Sequence, residues 1–191
     1  MKNMKKSTII LIAVAAVVAL LVIWAISSYN GLVSAEEGVN NKFAEIETQL
    51  QRRTDLIPNL VNTVKGYAAH ETEIYTALAE ARAKLSGSTT TEDKMAANDE
   101  LSSAISRLLV VVENYPELKA DTQFTALQDQ LEGAENRIST ARMDYNEAVK
   151  TYNRTLRRFP NNILAGMFGF EAREMYDAPA GNEQAPEVNF D

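Results

Sequence analysis

The sequence predicts an all-α protein, a single N-terminal transmembrane helix followed by an antiparallel four-helix bundle with long helices. Three observations predict it: an uncharged apolar run from Ser7 to Ile26, apolar residues at helical spacing through most of the remaining chain, and breaks at prolines and one Gly/Ser/Thr-rich connection. The boundaries that result are a basic start at 1–6, a membrane helix at 7–26, a helical domain at 27–170 and an acidic, flexible tail at 171–191.

The run STIILIAVAAVVALLVIWAI holds no charge over about 20 residues, enough to cross ~30 Å of hydrocarbon at ~1.5 Å per residue. Lys2, Lys5 and Lys6 precede it, and Trp24 and Tyr29 lie near its far end. Positive residues stay on the cytoplasmic side and amphipathic rings favour the interface, so the expected topology is N-terminus inside and helical domain outside. A cleaved signal peptide competes with this reading, since Val33-Ser34-Ala35 resembles a small-residue cleavage site. The run is longer than the ~7–15 residues of a signal core and the site lies well past its end, so a retained signal anchor is preferred.

Composition narrows the function. The chain has no cysteine, which excludes disulfides, thiolate nucleophiles, zinc–thiolate sites and a lipidated cysteine. Net charge is −7, and the three lysines before the apolar run leave about −10 on the remainder. Such a domain repels nucleic acid and anionic lipid rather than attracting them.

In the first helical pattern, from Tyr29 to about Thr54, Leu32, Val39, Phe43, Ile46 and Leu50 form one stripe. Asp55 and Pro58 mark a restart, because proline suits a first turn and Asp55 can cap it. The second helix then places Ile57, Leu60, Val64, Leu78 and Leu85 on one broad face before the SGSTTTED connection (residues 86–93). The third keeps its rhythm through Leu101, Ile105, Leu108 and Val112, although Leu108–Val112 alone could be misread as a strand, and Pro116 ends it. The fourth pattern is the strongest. Phe124, Leu127, Leu131, Ala134, Ile138, Ala141, Tyr145, Ala148, Tyr152, Leu156 and Phe159 make a heptad seam that stops at Pro160. NNILAGMFGF (residues 161–170) is apolar but broken by glycines; packing on its own bundle is preferred over a membrane or partner contact.

No catalytic constellation emerges. His70 is the sole histidine, and HETEI places Ile74 where the zinc motif H-E-x-x-H needs its second ligand. There is no nucleophile elbow, Walker loop, Rossmann fingerprint or EF-hand loop. Paired carboxylates such as Glu36-Glu37 read as a solvated helical face. Arg52-Arg53 and Arg157-Arg158 read as cations at helix C-termini, favoured by the helix dipole, rather than as a phosphate site. Tyr145-Asn146 and Tyr152-Asn153 repeat seven residues apart; a core tyrosine with a register-fixing asparagine is preferred over a strip recognised by a partner.

QLQRRTDLIPNLVNTVKGYAAHE, ENYPELKA and the DYNEAVKTYN end of the long seam together resemble the LemA family, over most of the chain. The resemblance implies the same architecture, a basic start, one membrane helix and a helical bundle. It implies no enzymatic activity, cofactor or metal, and no catalytic residues. The matching residues direct attention to Arg52, Arg53, Asp55, Asn59, His70, Asn146 and Asn153 as candidate partner-binding positions. Met167, Phe168 and Phe170 join them on apolar character.

The expectation is a non-enzymatic, single-pass, membrane-anchored scaffold or interaction protein of the bacterial cell envelope. Its partners would be the lipid bilayer through Ser7–Ile26 and other envelope or membrane proteins, with room for a homo-oligomer and none for nucleic acid. The alternative is a sensory or ligand-binding helical bundle that signals through a partner protein. A hydrolase is the weakest reading.

Overall fold

A computed structural model describes residues 6–176, with side chains from residue 8. The basic residues before Lys6 and the acidic tail beyond Tyr176 lie outside the described residues. The elements are α1 (Lys6–Lys65), α2 (Thr72–Gly87), α3 (Thr91–Val112), α4 (Pro116–Lys119), α5 (Thr122–Arg157) and α6 (Asn161–Phe168), with no strand among the described residues. Leu108–Val112 is helical, so the β-branched run does not become a strand. The chain divides into two compact units, and α1 and α5 contribute to both.

Among the described residues, the first unit comprises Lys6–Lys42 and Asn146–Met175. The apolar stretch of α1 is almost wholly exposed from Thr8 to Ile23, and the first half-covered positions are Trp24 and Ala25. This is the one described helix long and apolar enough to cross a membrane. Beyond it Leu32 and Val39 are buried as the stripe requires, together with Val149, Tyr152 and Leu156 of α5 and Leu164 and Ala165 of α6. The seam of α5 thus passes through Val149 instead of the expected Ala148, and Phe159, expected to close it, is 81% exposed. The helix ends at Arg157, so Phe159 no longer follows the helical stripe. Gly169 closes α6 at φ 74°, and the Phe170 N–H reaches back to the Ala165 carbonyl at 3.0 Å, a Schellman closure that uses glycine's freedom at positive φ.

The second unit comprises Phe43–Tyr145 with Tyr176. Ile46, Leu50, Ile57, Leu60 and Val64 of α1 are buried, with Leu78 and Leu85 of α2 and Leu101, Ile105, Leu108 and Val112 of α3. Phe124, Leu131, Ala134, Ile138 and Ala141 supply the α5 side. Thr90 caps α3 by accepting from the Asp93 N–H at 3.1 Å, as the SGSTTTED composition leads one to expect. Pro116 does not follow α3 directly; that helix ends at Val112 and Pro116 opens α4.

The expected restart at Asp55–Pro58 does not occur. Pro58 lies inside α1, and the chain breaks instead between Gly66 and Glu71. An interior proline deprives the carbonyl four residues earlier of its N–H partner. Here that carbonyl belongs to Thr54, and the Arg82 Nε–H of α2 donates to it at 3.3 Å. A side chain from the neighbouring helix therefore replaces the missing backbone donor. With α1 unbroken, Arg52 and Arg53 sit in mid-helix rather than at a C-terminus, while Arg157 does close α5.

Removing that replacement donor is expected to destabilise the fold. Arg82→Met should cost about 1–2 kcal/mol, the usual cost of stranding a buried acceptor. In a Pro58→Ala background the new backbone N–H satisfies Thr54, and most of that cost should vanish. Equal costs in the two backgrounds, read by denaturant titration, would refute this role for Arg82.

Candidate functional site

Arg53 is the centre of a polar cluster inside the second unit. Its side chain is 5% exposed. Nη1 donates to Asn98 Oδ1 at 2.9 Å and to Ser102 Oγ at 2.9 Å, and lies 2.8 Å from Glu135 Oε2. Burial pushes the guanidinium below its ordinary pKa, and the opposing charge of Glu135 pushes it back. Arg142 belongs to the same cluster. Its Nη2 pairs with Asp99 at 3.2 Å and bonds the Tyr176 hydroxyl, and the guanidinium stacks 3.9 Å from the Tyr176 ring. Tyr176, six residues into the expected tail, is buried, while Glu171 to Met175 before it are exposed.

The cluster holds donors with no hydrogen-bond partner among the described residues, namely Arg53 Nε, Asn98 Nδ2 and Arg142 Nε. Only Arg53 of this group is among the candidate positions. Asn98 had a legible signal, since it stands one step before Leu101 on the α3 seam and is fully buried. Glu135 and Arg142 flank seam positions of α5 and read as surface charges.

A second set of bonds ties the two family-like motifs together at the turns of the same unit. The Tyr67 hydroxyl donates to Asp121 Oδ2 at 2.8 Å, and the Tyr115 hydroxyl donates to Glu71 Oε1 at 3.2 Å. The Tyr75 hydroxyl donates to the Ala68 carbonyl at 2.7 Å. Asp121 also accepts from the Gln123 and Phe124 N–H groups at 2.7 and 3.0 Å, capping α5. The Phe124 N–H, then the Tyr67 hydroxyl, hold the Asp121 carboxyl below its ordinary value of 3.8. Because the folded pKa is the lower one, this contribution is present above the ordinary value and lost as pH falls through the folded one. The melting-temperature difference between wild type and Asp121→Asn should therefore be largest near neutrality and shrink below about pH 4. A difference independent of pH would contradict the assignment.

The candidate positions separate into distinct places. Arg52, Asp55 and Asn59 are exposed and, at spacings of three and four, share one face of α1. Asp55 accepts from Gln51 Nε2 at 2.8 Å, and His70 is exposed in the turn after α1. Arg53 points the other way, into the core. In the first unit, Asn153 makes two bonds to the Arg173 backbone, donating to its carbonyl at 2.7 Å and accepting from its N–H at 2.9 Å. Arg173 also pairs with Glu36 at 2.9 Å. Asn146 is half-buried. The Tyr152 ring is completely buried, and its hydroxyl has no partner among the described residues. Met167 and Phe168 are exposed and Phe170 is half-buried.

The sequence profile of the LemA family matches residues 42–190. Magnetosome proteins MamQ 2 and MamQ 1 of Paramagnetospirillum magneticum are each 29% identical over 181 residues. Magnetosome protein MamQ of Magnetospirillum gryphiswaldense is 25% identical over the same length. Each alignment covers 81% of this chain and 66% of the relative, so the chain spans just under two thirds of the length of these curated relatives.

Proposed function

The chain belongs to the LemA family, and on that premise we propose a non-enzymatic, single-pass, membrane-anchored scaffold of the bacterial envelope. The observation that supports it most is α1 itself, which runs as one helix from the exposed apolar stretch into the buried stripe at Leu32, Val39, Ile46 and Leu50. Anchor and folded body are thus one element, as a protein that presents a surface near a membrane requires. The relatives, named as magnetosome proteins, are compatible with a membrane-associated role.

In this reading the N-terminus is cytoplasmic and the helical domain outside, where its helical segments form an antiparallel four-helix bundle. Contacts in reversed order within the second unit favour antiparallel packing of α1 against α2 (Lys65 with Tyr75, Thr54 with Arg82) and against α5 (Phe43 with Tyr145, Arg53 with Glu135). The exposed face at Arg52, Asp55 and Asn59, with His70 beyond it, binds an envelope or membrane protein. A photo-cross-linking residue at Asn59 in living cells should give a discrete protein adduct that Arg52→Ala or Asp55→Ala removes without lowering the melting temperature. Absence of any protein adduct from 52, 55 and 59 would contradict the reading.

The buried donors at Arg53, Asn98 and Arg142 favour the second reading, a ligand-binding bundle that signals through a partner. A small molecule that raises the melting temperature of the wild type, and not of Asn98→Ala, would support it over the scaffold.

A further inference from the structure

The geometry points to α6 as a membrane-surface helix, with Ile163, Met167 and Phe168 seated at the boundary of headgroups and acyl chains beside the point where α1 leaves the bilayer. This rests on the reading of α1 as the anchor. Tyr29 stands three residues past the end of the apolar run, only about 4.5 Å farther along the helix. That lies within the interfacial layer, which is ~5–8 Å thick on each side of the hydrocarbon. The Phe168 ring centre is 4.9 Å from that of Tyr29, and the Phe170 ring centre is 5.7 Å away, both edge-on. The aromatic contacts therefore bring the end of α6 to the level at which rings favour the interface.

Along α1, Trp24 and Ala25 inside the apolar run are partly covered, Ile26 is again 57% exposed, and the first buried residue is Leu32, three past Tyr29. The composition of α6 also suits a lipid surface. Residues 161–170 carry no charge; Leu164 and Ala165 face the protein, while Ile163, Met167 and Phe168 are 51, 71 and 57% exposed. Directly upstream, Arg154, Arg157 and Arg158 are all exposed, followed by the exposed Phe159. Basic side chains next to an exposed apolar face are the arrangement by which a helix lies in an interface. Glu171 and Glu174, exposed just after α6, leave the local charge mixed, so the seating rests on the apolar face rather than on charge attraction. An exposed face such as this on a freely soluble body would be a liability; next to a bilayer it is covered.

The absence of native cysteine permits a clean test with the full chain. Leu20→Cys, Met167→Cys, Ile163→Cys and His70→Cys would each carry an environment-sensitive fluorophore in vesicles of mixed phosphatidylcholine and phosphatidylglycerol. Spin labels placed shallow or deep in the acyl chains would act as quenchers. The inference expects blue-shifted emission at 163 and 167 with stronger quenching by the shallow label, deep quenching at 20, and neither at 70. Deep quenching at 20 with water-like emission at 163 and 167 would overturn the α6 inference while leaving the anchor intact. Blue-shifted but unquenched emission at 163 and 167 would also overturn it, in favour of a second protein copy as the cover. Loss of quenching at 20 would overturn the anchor reading and this inference with it.

Discussion

Glu135→Leu is expected to lower the unfolding free energy by about 2–3 kcal/mol. Removing one partner of a fully buried ion pair costs about 3–5 kcal/mol, because the other charge is left in the interior. The value here falls lower because the Glu135 side chain is 45% exposed and part of its charge is already hydrated. What matters is the asymmetry of the pair. Arg53, at 5% exposure, cannot turn to water when Glu135 is lost, whereas Glu135 can when Arg53 is lost. Arg53→Met instead strands Asn98 Oδ1, at about 1–3 kcal/mol, while Ser102 Oγ keeps its bond to the Asn98 carbonyl. The double variant removes both charges, so it should cost at least 1 kcal/mol less than the sum of the singles. Additivity within about 0.5 kcal/mol would show that the two charges are not coupled.

Ile138→Ala should cost about 3 kcal/mol. Ile138 is fully buried on α5 between Ala134 and Ala141 of the seam, small neighbours that cannot fill the space it leaves. Met143→Ala on the same helix is the internal comparison. That side chain is 63% exposed, and its truncation should fall within about 0.5 kcal/mol of wild type. Denaturant unfolding of the two variants measures whether the seam, rather than helix propensity, holds α5 in place. Similar costs at both positions would show that the heptad stripe does not face a packed interior.

Much of the helical pattern is legible in the sequence because period and capping are local. The apolar run, the α3 cap at Thr90 and the buried stripe from Phe124 to Leu156 each depend on residues within a few turns of one another. The features that escape such a reading depend on distant partners. Pro58 signals a break on local rules, and the donor that stands in for its missing N–H comes from Arg82 on another helix. Arg53 and Arg52 are adjacent and chemically alike, yet one is buried and one exposed. Nothing near them in sequence announces that Asn98, Ser102 and Glu135 will meet Arg53.

The LemA-like motifs are visible as strings, while their bonds are not. Tyr67 with Asp121, and Glu71 with Tyr115, pair one motif with residues in or just beyond the other, which identifies a turn-locking role. By its heptad spacing Asn153 reads as a register-fixing or partner-facing residue of the long helix. Its two bonds to the Arg173 backbone hold the chain beyond α6, a segment without periodicity from which to foresee the contact.

The anchored orientation is the central claim, and impermeant thiol labelling of a single-cysteine protein tests it most directly. His70→Cys places the thiol on an exposed turn of the helical domain, in a chain that otherwise has none. In intact cells, with any outer barrier removed, an outward-facing anchored domain should label fully without lysis, and the labelled protein should stay in the membrane fraction. Labelling only after lysis would place the helical domain on the cytoplasmic side and contradict that orientation. Release of the labelled protein into the soluble fraction would contradict the anchor.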